Sequence, residues 1–171
     1  MARLKRSNEH QTFAEIKLLF TERNEALQRF CLQNNVYFLG YTKQELEDRL
    51  SYHLREAEYD ASFTLLAAIE AAFRLDCDYR LKNRLKDPRS KVLRRMSKEL
   101  SRHISIDELF DALKEDHSIP NHTITLLKIY FKYRHWLAHG RYWHLQTGLS
   151  KLPTFADIYQ LAQTINNLLY R

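Results

Sequence analysis

Glycine and proline are scarce: the 171 residues contain three of each. All six stand where a segment would end, at Gly40, Pro88, Pro120, Gly140, Gly148 and Pro153. Such long stretches without a breaker argue for an all-α chain. Cysteine is scarce as well. Cys31 and Cys77 lie far apart and form no C-x-x-C pair. That spacing argues against a disulfide framework or a cysteine zinc site, and for two buried thiols in a reducing compartment. No uncharged apolar run approaches the ~18 residues that would suggest a membrane span. The opening MARLKRSNEHQ has charges but no apolar run behind them, so no signal peptide is expected. Glycine-rich phosphate loops, internal repeats and low-complexity tracts are missing too. The expectation is one cytoplasmic, membrane-free, all-α domain over residues 1–171, an up-and-down bundle of four core helices plus short extra ones.

What is present is charge, unevenly spread. The chain carries a net charge of +6. Between Arg80 and Arg102 ten basic residues face only Asp87 and Glu99, whereas the rest of the chain holds seventeen basic and nineteen acidic residues. A local excess of that size suits a phosphate-rich partner. A solvated helix face is the equally weighted alternative.

Read in order, residues 1–7 look frayed and a first helix runs from about Asn8 to Gln33, with Phe13, Ile16, Leu19, Phe20, Leu27 and Phe30 at helical spacing. It belongs to an N-terminal segment, 1–40, that ends at Gly40. The core bundle, 41–171, begins with a capping box at Thr42 and Glu45. The helix that follows is long enough that a break near Asp76–Asp78 is expected. Its middle, Ala61 to Leu75, is apolar on nearly every side, and Glu70 and Arg74 are its polar exceptions, spaced as a favourable i,i+4 pair. Glu70 is also a candidate to orient Arg134 on a neighbouring helix. Asp87-Pro88 starts a short basic helix to about His103, inside the basic insert 80–102. Ser105 and Glu108 box the next helix, which has Leu109, Phe110 and Leu113 inward and runs to about Asp116. Thr154 caps a last helix to about Tyr170, with Phe155, Ile158, Leu161, Ala162, Ile165 and Leu168/Leu169 inward.

The most informative stretch is Asn121 to Trp143, NHTITLLKIYFKYRHWLAHGRYW. Asn121 is the expected N-cap and Gly140 the expected C-terminal stop. Ile124, Leu127, Tyr130, Phe131 and Ala138 share a broad apolar side, and Arg134 falls within it. Lys128, Lys132, His135 and His139 form a second stripe at steps of four, three and four. Cations at a helix C-terminus stabilise it by roughly 0.3–1 kcal/mol, so a complement to the helix dipole is the alternative reading of Arg134, His135, His139 and Arg141. An arginine on an apolar stripe calls for a partner, however, because burying an unpaired charge is costly. Trp136, Tyr142 and Trp143 crowd the same end, as core packing or as surfaces for bases. His135 and His139 at i,i+4, with His144 behind, have spacing that zinc could use, but Trp136 stands where a zinc-protease helix needs glutamate.

Arg134-His135-Trp136-Leu137-Ala138-His139 fits the R-x4-H motif of the HEPN superfamily, and the polar His135 after the arginine fits its usual pattern. Glu70 and Arg74 resemble polar positions on the preceding long helix of those proteins, and the order of elements from Thr42 to Arg171 is similar. The resemblance implies a helical bundle that pairs as a homodimer, with two motifs meeting across a two-fold axis. It implies a metal-independent endoribonuclease of the toxin or phage-defence type, needing no cofactor, and a possible antitoxin. Its alternative is an inactive module that binds nucleotide or RNA, or that joins a nucleotidyltransferase-type partner.

The residues suit that chemistry. RNA carries its own nucleophile, the 2′-OH. Histidine titrates near neutrality and moves protons, and arginine stays charged and grips two phosphate oxygens. His139 is therefore the candidate general acid or base, Arg134 the phosphate clamp and His135 a second proton-transfer group. Glu70 and Arg74 are candidate supports. Lys128, Lys132, Arg141, Arg94 and Arg95 are candidate RNA contacts. Arg134 and His139 are five residues apart, ~140° around a regular helix. A distorted last turn, the length of arginine or a second subunit must bring them together.

Overall fold

Short polar side chains open the helices. In the computed structural model, which describes residues 9–32, 35–99, 104–115, 117, 119–146 and 148–169, Thr42 and Glu45 cap each other's backbone N–H groups, at 3.3 and 2.7 Å. Thr12 with Glu15, Ser105 with Glu108 and Thr154 with Asp157 do the same. Each box satisfies donors that the first turn leaves open. Asp87 accepts from the Ser90 amide at 3.1 Å and hydroxyl at 2.6 Å. The elements are α1 Phe13–Leu32, a 3-10 turn Val36–Phe38, α2 Lys43–Lys82, α3 Pro88–Glu99, α4 Ile106–Glu115, α5 Asn121–Ala138 and α6 Phe155–Leu169. No strand occurs among the described residues, and the architecture is an all-α helical bundle. No helix there is long and apolar enough to cross a membrane.

Helix α2 is the axis, and it does not break. Its 40 residues make a rod of ~60 Å, so the expected interruption at Asp76–Asp78 is corrected. Asp76 holds the helix together at that point. Its carboxylate accepts from Arg80 Nε at 2.7 Å, one turn on, and lies 3.4 Å from Arg89 Nη1 of α3. The length is absorbed at the other end, where most of the first ten residues of α2 are exposed. From Ala61 to Cys77 no residue of α2 is exposed, in keeping with its apolar middle.

Five carboxylates of α2 each reach a different element. Glu56 binds Arg141 after α5 at 2.8 Å, and Glu58 accepts from the Phe155 amide at the start of α6 at 3.0 Å. Asp60 pairs with Arg23 of α1 at 2.9 Å, Glu70 with Arg134 of α5 at 3.2 Å, and Asp76 with Arg89 of α3. These ties set the directions. Helix α5 meets α2 with Arg134 beside Glu70 and Arg141 beside Glu56, so the two run antiparallel. Helix α6 starts beside Glu58, and its Leu168 carbonyl accepts from Arg89 at 3.4 Å, so it runs with α2.

One cluster of buried side chains draws on all six helices, including Ile16, Leu66, Leu93, Phe110, Leu127 and Ile158. Several local expectations shift. Helix α1 begins after Thr12 rather than near Asn8, because its capping box is Thr12–Glu15. Leu19 and Phe30 of its supposed inner stripe are 51% and 41% exposed. Helix α5 includes Asn121; its cap position is Pro120, whose carbonyl accepts from the Thr123 and Ile124 amides. Ala138 is exposed rather than part of the apolar side. Residues 1–8, Gln33, 100–103, Asp116 and Tyr170, where frayed ends and helix limits were expected, lie outside the described residues.

Candidate functional site at the end of helix α5

The last turn of α5 closes regularly. His139 takes the cap position and donates to the His135 carbonyl at 3.2 Å. The Gly140 amide donates to Leu137 at 3.4 Å and the Arg141 amide to Trp136 at 3.1 Å, the paired bonds of a Schellman closure. Gly140 at φ +78° supplies the left-handed residue this closure requires, and Arg141 follows at φ +60°. With the turn undistorted, Arg134 and His139 keep the ~140° that five helical residues impose.

They face different neighbours accordingly. Arg134 turns to α2. It pairs with Glu70 and lies over the rings of Phe63 and Phe131, at 5.5 and 5.8 Å. Its Nε is buried with no acceptor among the described residues, yet 30% of the side chain remains exposed. Glu70 also holds Arg74, at 2.6 Å, and Arg74 donates to the Ile104 carbonyl at 3.2 Å. The two readings of Glu70, a partner within its own helix and a partner across to α5, are therefore both realised. One carboxylate thus bridges two guanidinium groups.

The imidazoles of His135 and His139 turn the other way. Both are exposed, and their ring centres are 4.2 Å apart. Trp143 lies against them at 5.9 and 6.2 Å. Lys132, one turn earlier on the same stripe, is exposed, and Lys128 reaches Asp111 of α4 at 2.5 Å. Among the described residues no group of three or more His, Cys, Asp or Glu side chains is arranged to hold a metal ion.

Arg141 is gripped by Glu56 through two hydrogen bonds of 2.8 Å and lies 4.8 Å over the Tyr59 ring. The Arg141 guanidinium beside it holds the Glu56 carboxyl below the usual carboxylate range, against burial that pushes it up. The basic insert is less open than its charge suggests. Arg80 and Arg89 are buried against Asp76. Arg94 donates to the Leu85 carbonyl, and Arg95 pairs with Glu115 at 2.5 Å. Lys82, Arg84, Lys86, Lys91 and Lys98 are the exposed remainder among the described residues.

Sequence reasoning missed Glu56, Tyr59 and Phe63. The signal was present: Glu56, Tyr59, Phe63 and Glu70 recur at steps of three, four and seven, one face of α2. That face meets α5. Also unnoticed was an acid-free stretch: from His117 to Ala156 there is no Asp or Glu. Compared with protein-family models, curated proteins and solved structures, the chain matches none.

Proposed function

We propose that the protein is a cytoplasmic, metal-independent endoribonuclease of the HEPN type, acting in toxin or phage-defence biology as a homodimer. The observation that carries this reading is the split end of α5. On one side is an arginine steadied by Glu70, and on the other are two exposed imidazoles 4.2 Å apart. In the proposed reaction one imidazole takes the proton of the substrate 2′-OH. The 2′ oxygen bonds to phosphorus, the bond from phosphorus to the 5′ oxygen breaks, and an imidazolium returns a proton to that leaving oxygen. A guanidinium balances the charge growing on the phosphate. His139 and His135 are the proton-transfer groups and Arg134 the clamp. Because Arg134 and His139 point apart within one chain, the clamp for each imidazole pair comes from the second copy. Lys132, and Lys128 when it leaves Asp111, extend the track for the RNA backbone.

The engagement of Arg134 by Glu70 also favours a second reading. A guanidinium already paired suits a module that binds RNA, nucleotide or a nucleotidyltransferase-type partner without cleaving. Purified protein incubated with labelled RNA in EDTA separates the two. Cleavage leaving 2′,3′-cyclic ends, lost in His139→Ala and in Arg134→Ala, supports the ribonuclease. Binding with no product supports the module, and cleavage restored only by added metal would defeat the metal-independent chemistry. Sedimentation of the same sample tests the dimer. Growth arrest on expression, relieved by Arg134→Ala, tests toxicity.

A further inference from the structure

Three aromatic rings crowd the last turn of α5 and the segment after it, and only one is left to solvent. Trp136 is half-buried. Its Nε1 donates to the Trp143 carbonyl at 2.7 Å, and its ring stacks on Tyr133 and meets Tyr59 edge-on. Trp143 is half-buried beside the imidazoles. Tyr142 is 83% exposed, and it meets Trp143 edge to face at 4.7 Å. The backbone beneath Tyr142 is fixed on both sides. Arg141 is closed onto α5 and clamped by Glu56, and Trp143 is held by Trp136. The loop therefore holds a large ring in water, where a mobile segment would let it collapse onto apolar surface.

The surroundings say what such a ring is for. Of the residues near it in the chain, Ala138, His139, Gly140, His144 and Gln146 are exposed, and none of them is a large apolar side chain. The forty-residue stretch around it has no Asp or Glu of its own and carries five Lys or Arg with five histidines. Lys128, Arg134 and Arg141 are paired with Asp111, Glu70 and Glu56 of other helices, and Lys132 and the His135 and His139 rings stay exposed. A flat ring that reaches the exposed His135 and His139 imidazoles through Trp143, with exposed Lys132 on the same helical stripe, suits a ligand that joins a π face to negative charge. A nucleotide within an RNA chain has both.

We propose that Tyr142 is a stacking platform for an unpaired nucleobase flanking the phosphate at the His135–His139 site, and that it confers a preference for purines at that position. This rests on the ribonuclease reading of that site. A base still paired in an A-form duplex keeps its faces covered, so the ring can engage only a base that is splayed out. Purines offer the larger face and stack more strongly, so the preference follows from contact area rather than from hydrogen bonds. Tyr142 is thus a specificity-determining residue, separate from the groups that move protons.

The test uses the full chain and short oligoribonucleotides that differ only in a purine or pyrimidine beside the cleaved phosphate. Tyr142→Ala should raise KM on the order of tenfold, with the loss falling on KM more than on kcat, and should erase the purine preference. Tyr142→Phe, which keeps the ring, should restore both. Equal KM and equal preference in wild type and Tyr142→Ala would overturn the platform while leaving the ribonuclease standing. A second measurement does not depend on cleavage: binding of the same oligomers with a 2′-deoxy sugar at the cut position, which removes the nucleophile. Purine-favouring, Tyr142-dependent binding by a protein that cleaves nothing would uphold the platform and defeat the ribonuclease. Binding indifferent to Tyr142, or no binding at all, would overturn the platform.

Discussion

Glu56 grips Arg141 through two parallel hydrogen bonds of 2.8 Å, joining residues 85 positions apart in the chain. The pair fixes the residue that immediately follows the glycine stop of α5, and through it the loop that carries Tyr142 and Trp143.

That pair should be visible in acid. Hydrogen bonds from Arg141 lower the Glu56 carboxyl below its ordinary value of 4.5. A carboxyl depressed in the folded state contributes stability that is present above the unfolded value and lost as pH falls through the folded one. Melting curves of wild type and Glu56→Gln should therefore differ at pH 7, and the difference should shrink as pH falls below 4.5 and the wild-type carboxyl protonates. A gap that stays constant down to pH 3 would show that the pair carries no such contribution.

Asp76 should be the costliest single acid to remove. Arg80 and Arg89, 7% and 6% exposed, both rest on it. Removing a buried carboxylate shared by two guanidinium groups typically costs about 3–5 kcal/mol, and the lower end applies because Arg80 keeps Asp87 at 3.0 Å and Arg89 keeps the Leu168 carbonyl at 3.4 Å. Denaturant unfolding of Asp76→Ala should show a loss of about that size. Asp60→Ala, which removes a surface pair with Arg23, should cost under about 1 kcal/mol. Comparable losses at the two positions would contradict the buried network.

Glu70 should couple to Arg134. A double-mutant cycle with Glu70→Ala and Arg134→Ala, read by stability, is expected to give a coupling on the order of 1 kcal/mol. In a ribonuclease assay Glu70→Ala should lower activity by releasing the clamp, and Arg74→Ala should lower it less, because Arg134 keeps its partner. Strict additivity in the cycle would remove the steadying role given to Glu70.

Cys77 should resist alkylation in the folded protein. Burial, reinforced by Asp78 and Asp76, pushes its thiol from 9.0 up to about 11. The folded state thus favours the protonated thiol, and stability should fall as pH rises from about 9 towards about 11. The rate of modification by iodoacetamide at pH 9, native against urea-unfolded, measures this. Equal rates would show an accessible thiolate.

Local signals in the sequence were reliable where chemistry is local. Two of the boxes, at Thr42 and Ser105, the cap at Thr154 and the Asp87-Pro88 start were legible because each needs only a short polar side chain and its neighbours three residues on. The same rule would have found Thr12–Glu15 and moved the start of α1. Long-range compensation was not legible. A rod as long as α2 looked too long to stay whole because Asp76 finds Arg89 only after the chain has folded back. The basic insert looked like an open cationic surface because Asp76, Glu115 and, within the insert, the Leu85 carbonyl take up four of its arginines once the chain has folded. At the candidate site Arg134, His135 and His139 were readable from helical spacing, and the pairing of Arg134 with Glu70 was anticipated. Glu56 was not, since its partner lies beyond the end of α5 in a loop with no periodicity.

The continuity of α2 has a mechanical consequence. Glu56 and Glu70 stand fourteen residues apart on it, about 21 Å along the axis. One steadies the aromatic loop and the other the guanidinium. With no hinge between them, α2 acts as a ruler. Neither end of that span can be retuned by bending the rod, so any rearrangement of one against the other must come from side chains letting go.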